Sequence, residues 1–265
     1  MFFPCAGYTL ALQEMILVPL SMAVGYHLWV FVKAAVGHPD KLGDCPFSQR
    51  VLLTLEEKAI PYNATFIDIE NKPQWFLEAN PAGKVPVIKD GDKFVSDSDV
   101  ITQLLEEKYP EPSLKTPAEY ASVGANLFPA FLGFLKSHDS NDGTEAALLA
   151  EFKSLDEHFK LNNPFIAGEK VTGVDLALAP KLYHATIALP YYKNWHIPEQ
   201  FTSLLTYIQA ITSRESFKKT AAPAEFVIAG WDKHDGVTRS PELSTSAKPS
   251  AGHGTAAAKP FSVSL

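Results

Sequence analysis

The chain has 265 residues, 46% hydrophobic and 20% charged, the composition of a folded globular protein with a sizeable core. Lysine and arginine number 23 against 30 aspartates and glutamates, a net charge of -7 that argues against sequence-independent nucleic-acid binding, which needs a basic surface to displace counterions. Two cysteines, Cys5 and Cys45, are too few for a disulfide-stapled scaffold, and no CxxC pair or His/Cys cluster has metal-ligand spacing.

Residues 1–27 form an N-terminal extension with no assigned element. Met15–Val32 is a run of 18 residues without a charge, long enough for a marginal membrane span. Pro19, Gly25 and His27 interrupt it, and no basic residues precede it, so neither stable membrane insertion nor a signal peptide is expected. Its end, Leu28–Ala34, reads as a buried strand. Gly37–Gly43 reads as a loop around Pro39. Cys45–Lys58 reads as a helix with Pro46 in the first turn and Val51, Leu52 and Leu55 on one apolar face.

A second strand covers Tyr62–Ile69 and a short helix lies around Gln74–Ala79. Val85–Lys89 and Lys93–Val95 flank Asp90-Gly91, a hairpin signal, and a helix follows over Ser98–Lys108. Residues 28–109 therefore read as a β-α-β-α-β-β-α unit with a mixed four-stranded sheet, an α/β arrangement of thioredoxin-like order. After the Pro-rich stretch Tyr109–Ser113 only helical patterns appear: Pro117–Ser137, Thr144–Phe159, a helix opened by Thr172 with Asp175 three residues on, Pro198–Ile211 and Arg214–Lys219. Residues 116–232 form an all-α domain on this reading. The low-complexity remainder, 233–265, is expected to be a disordered tail.

Cys45 stands where the loop ending Gly43-Asp44 turns into a helix, in the order Cys-Pro-Phe-Ser. Unpaired backbone N–H groups and the positive end of the helix dipole stabilise a thiolate there, so a lowered thiol pKa is expected. Ser48 fills the second cysteine position of a dithiol motif. A hydroxyl cannot form a disulfide, so the chemistry is monothiol and a soluble thiol must supply the partner sulfur. Val85-Pro86 at the start of a strand suits a cis peptide facing a peptide-like ligand. Asp97-Ser98 before a helix reads either as a simple N-cap or as helix-end groups able to hold a small carboxylate.

Long stretches around these residues resemble the glutathione-dependent dehydroascorbate reductases of plants and green algae, in the glutathione transferase superfamily. They are Val32–Lys58, Asn71–Val87, Asp97–Val100 and Leu104–Leu114, with further matches through the helical half to Trp231. The resemblance implies a glutathione transferase fold with Cys45 as nucleophile and Lys33 and Asp44 beside the dehydroascorbate pocket. It implies that Lys72, Val85, Asp97 and Ser98 bind glutathione, and that Pro86, Thr172 and Asp175 serve structure. Glutathione would be a cosubstrate, with no metal or bound cofactor, in a monomer. Two alternatives share parts of the pattern: an omega-like glutathione thioltransferase, and a chloride channel-like protein that associates with membranes. A reduced thiol enzyme suits the cytosol, which is preferred, with the chloroplast stroma as the alternative.

Overall fold

A computed structural model of the protein describes residues 28–239. Strand β1 (Leu28–Ala35) forms the spine of a mixed sheet in which β3 (Tyr62–Ile67) runs parallel to it and β4 (Val87–Asp90) antiparallel; β5 (Lys93–Ser96) pairs antiparallel with β4. Alternation along β1 decides its two faces. Leu28, Val30 and Val32 are buried with Val51, Leu52 and Leu55 of α1 (Pro46–Glu57) and with Ile101 and Leu105 of α3 (Ser98–Lys108). Phe31 faces the opposite way, into a small cluster with Phe76 from α2 (Gln74–Ala79). This is the expected thioredoxin-like unit.

One short strand was not anticipated. β2 (His38–Leu42) pairs with the end of β1 at Ala34↔Leu42 and Ala35↔His38, where a loop was expected. Gly37, at φ +75°, lets the chain reverse tightly, and Pro39 is tolerated because the pairing is so limited.

The rest of the described chain is helical: α4 (Leu127–Lys136), α5 (Thr144–Leu161), α6 (Gly173–Lys193), α7 (Thr202–Thr212), α8 (Glu215–Thr220) and α9 (Ala224–Asp232). α4 begins ten residues after the expected Pro117. A single 3-10 turn covers Ala118–Tyr120, and Gly124 breaks the pattern at φ +73°, packed so closely that a Cβ there would lie 2.6 Å from Leu178 Cδ1. α9 had no separate sequence signal. Leu127, Phe131, Leu148, Phe152 and Leu155, the residues that carried the periodicity, are all in one helical core. Val237, inside the stretch expected to be tail, is also buried in that core, at 6% exposure. Residues 1–27 and 240–265 lie outside the described residues, as do Cys5 and most of the apolar run from Met15. The last part of that run is β1.

α6 opens with the expected capping box. Asp175, fully buried, accepts the Thr172 N–H at 2.8 Å and the Ile166 N–H at 2.9 Å, tying the preceding loop to the helix start. Between the two halves, the Lys58 ammonium is completely buried. It donates to the carbonyls of Tyr109 at 2.7 Å and Pro112 at 2.9 Å and pairs with Glu106 at 2.7 Å. The connecting segment is thus pinned by one cation. Replacing Lys58 by Met leaves the Tyr109 and Pro112 carbonyls without their donor and Glu106 with only the Ser113 hydroxyl and the Leu114 N–H, and should cost about 3 kcal/mol of unfolding free energy. Denaturant titration monitored by circular dichroism measures this.

Candidate active site

Four chain segments meet at one end of the sheet. α1 follows the β1–β2 hairpin, and the β3–α2 loop carries Lys72. β4 starts just after Val85-Pro86, whose peptide bond is cis as the sequence suggested. The pairing Phe31↔Val87 brings the start of β4, with Val85 two residues before it, to the end of β1 that carries Lys33. Ser96 pairs with Val87, so Asp97 and Ser98 leave the sheet at this same end. Lys72 lies over Gly83, whose added Cβ would be 3.2 Å from the Lys72 Nζ. Thr172 and Asp175 are elsewhere, capping the start of α6.

Cys45 is the N-cap of α1. Its Sγ accepts the Ser48 N–H at 3.4 Å, and it is a free thiol. The helix-end argument is therefore correct in geometry but not in its net result. Cys45 is partly exposed yet densely surrounded by protein, and desolvation pushes the thiol pKa up. The Ser48 side chain and the N–H groups of Ser48 and Phe47 pull it down, while the negative charge of Asp44 adds to the rise. The expected lowering was wrong because it omitted burial.

Asp44 and Lys33 form an ion pair at 2.7 Å, with side chains only 9% and 12% exposed. The contact is not an aligned hydrogen bond, so Asp44 Oδ1 is buried without a hydrogen-bond donor among the described residues. Three residues from the helical half complete this corner, and none was foreseen. Gly230 of α9 abuts the Asp44 carboxylate so tightly that a Cβ would lie 2.0 Å from Oδ2. His184 of α6, 2% exposed, hydrogen-bonds the Asp44 backbone carbonyl, and its Nδ1 accepts the Trp231 indole N–H at 3.1 Å. That acceptor role places the ring proton on Nε2. Burial holds the His184 pKa down to about 4, so the ring is neutral at physiological pH. No local pattern marks these residues; His184 lies 140 positions from Asp44, and only its place on the buried face of a helix is readable.

At the other corner, Asp97 adopts φ +77° and ψ 124°, a strained backbone for a side chain larger than glycine. Its Oδ1 accepts the N–H groups of Asp99 at 2.8 Å and Val100 at 3.3 Å, which holds the residue there as the cap of α3. Ser98 is buried beside it, at 5% exposure.

Comparison with known proteins agrees with this arrangement. Residues 42–113 match the family described as glutathione S-transferase, N-terminal domain, and residues 139–210 match glutathione S-transferase, C-terminal domain. The fold is that of the glutathione transferase superfamily. A rice (Oryza sativa subsp. japonica) protein, probable glutathione S-transferase DHAR1, cytosolic, is 61% identical over 76% of this chain and 95% of its own. Glutathione S-transferase DHAR3, chloroplastic, of Arabidopsis thaliana is 57% identical over 77% of this chain and 79% of its own. The crystal structure of Chlamydomonas reinhardtii dehydroascorbate reductase superposes with a TM-score of 0.71 at 40% identity, over 78% of this chain and 98% of that one. The chain belongs to the dehydroascorbate reductases within that superfamily.

The competing influences on the thiol give opposite expectations for two substitutions. Asp44→Asn removes a charge that raises the Cys45 pKa and frees Lys33, so alkylation by iodoacetamide should reach half its limiting rate at lower pH. Ser48→Ala removes a lowering partner and should move that midpoint to higher pH. The pH profile of the alkylation rate reads both.

Proposed function

We propose that this protein reduces dehydroascorbate to ascorbate with two molecules of glutathione, through Cys45 alone. The observation that carries this reading is a free thiol capping α1 beside the buried Lys33–Asp44 pair, with Ser48 where a resolving cysteine would stand. In the first half-reaction the Cys45 thiolate attacks dehydroascorbate. Two electrons pass from sulfur to the substrate, water supplies the oxygen, ascorbate leaves, and Cys45 becomes a sulfenic acid. The first glutathione displaces water to give a mixed disulfide on Cys45. A second glutathione thiolate attacks the outer sulfur, releasing glutathione disulfide and restoring the thiolate.

The Lys33 ammonium stabilises the enediolate charge that develops on the reduced substrate, and Asp44 holds that ammonium in place. Lys72 serves the glycine carboxylate of glutathione, the backbone of Val85 its cysteinyl part, and Asp97 with Ser98 its γ-glutamyl end.

A second reading, resolution of glutathione mixed disulfides at the same thiol, is favoured by one feature. Phe47, next to Cys45, is 40% exposed and meets Phe128 of α4 edge-on at 5.7 Å, an apolar wall suited to less polar acceptors. The membrane-associating alternative finds no support: among the described residues no helix is long and apolar enough to cross a membrane. Reduced thiol chemistry suits the cytosol and the chloroplast stroma alike, and of the two the cytosol is our proposal; a C-terminal fluorescent fusion found only in plastids would reverse that.

Dehydroascorbate-dependent oxidation of glutathione should fall roughly a thousandfold or more in Cys45→Ser. Parallel initial-rate lines at varied glutathione would show the two half-reactions in the wild-type protein. Retained activity in the variant would rule out the monothiol route.

A further inference from the structure

Arg50 lies on α1, one turn beyond the cysteine, and reaches across to α3. Its Nη1 pairs with Asp99 Oδ1 at 2.5 Å and donates to Ser98 Oγ at 3.4 Å. Its side chain is only 17% exposed, and its Nε is buried without a hydrogen-bond partner among the described residues.

The consequence falls on Ser98. A hydroxyl that accepts from a guanidinium has its own proton left to donate, and among the described residues that proton has no acceptor. Asp97 is in the complementary position, with Oδ1 committed to the helix N–H groups and Oδ2 without a partner among the described residues. A buried donor thus sits beside a free carboxylate oxygen. That pairing matches an α-amino acid end, with carboxylate to Ser98 and ammonium to Asp97. Charge is the difficulty, because an incoming carboxylate would meet Asp97 and Asp99. Arg50, paired with Asp99, offsets one of these charges, and the ammonium of the same ligand meets the other.

We propose that Arg50 is a positioning residue that fixes the Ser98 hydroxyl as a donor and thereby restricts the thiol cosubstrate to compounds carrying an α-carboxylate on a γ-glutamyl group. The proposal rests on the reading of Asp97 and Ser98 as the γ-glutamyl site. Arg50 touches neither the thiol nor dehydroascorbate; it acts through Ser98.

The test compares glutathione with its γ-aminobutyryl analogue, which keeps the amine and the thiol but lacks the α-carboxylate. The wild-type protein should favour glutathione in kcat/KM by roughly ten- to a hundredfold, the worth of a hydrogen bond to a charged group. In Arg50→Met that ratio should collapse toward one, through a higher KM for glutathione. Arg50→Lys should recover part of it, and Arg50→Met combined with Ser98→Ala should be no worse than Arg50→Met alone. If Arg50→Met slows both thiols equally and keeps the ratio, Arg50 is merely structural and the proposal fails while the γ-glutamyl reading stands. If the wild-type protein does not discriminate between the two thiols, the γ-glutamyl reading itself fails. Should Arg50→Met not fold, Arg50→Lys and Arg50→Gln carry the same ratio, and an unchanged ratio in both overturns the proposal.

Discussion

A helix leaves its first N–H groups without internal partners, and at the start of α1 the Cys45 sulfur receives one of them. Most of the site follows from that one contact. The sulfur must be close to protein to cap the helix, and the same closeness strips it of water. Capping donors and desolvation therefore work against each other on the same atom. The negative charge of Asp44 tips the contest further against a thiolate, even with Lys33 held 2.7 Å from that carboxylate. The arrangement favours a sulfur whose charge is drawn out by a bound partner over one that is permanently ionised and open to solvent oxidants.

Which parts of this were readable in the chain depends on how far apart the partners lie. The cap at Cys45, the cis bond at Val85-Pro86, the Asp97 cap and the Thr172–Asp175 box all involve residues within a few positions of one another, and the structure contains each of them. Periodicity placed α5 almost to the residue. It overran α4, because Val123 fits the apolar spacing while Gly124 at φ +73° cannot continue a helix. β2 escaped notice because two paired positions and a proline carry no strand pattern. Gly230, His184 and Trp231 escaped for another reason. Each packs against Asp44 or its neighbour from a distant part of the chain, and that adjacency exists only after folding. The direction of the Cys45 pKa failed likewise, since burial is a property of the assembled molecule.

α1 is the beam between the two halves. Its last turn is fastened by Glu57, which binds the Arg214 guanidinium through two oxygens at 2.7 and 2.6 Å, and by Glu56, which pairs with Lys219 at 3.1 Å. Its first turn is fastened by the loop at Asp44, gripped by His184 and overlaid by Gly230. Along its length it lies against α6, and Arg50 ties it to α3. The thiol is carried at one end of a helix that has contacts to the helical half at both ends, so its position is set by the whole molecule.

That arrangement bears on what counts as the catalytic unit. Cys45, Lys33 and the residues assigned to glutathione all belong to the α/β half, which on its face could work by itself. Yet the carbonyl of Asp44 has its partner in His184, the indole that orients that ring belongs to Trp231, and the floor beneath the Asp44 carboxylate is the bare backbone of Gly230. A chain cut after Tyr109 would keep every group proposed to react and lose the mould that shapes them. The helical half is part of the active site without supplying a reacting atom to it, and the two halves form one enzyme rather than a catalyst with an attachment.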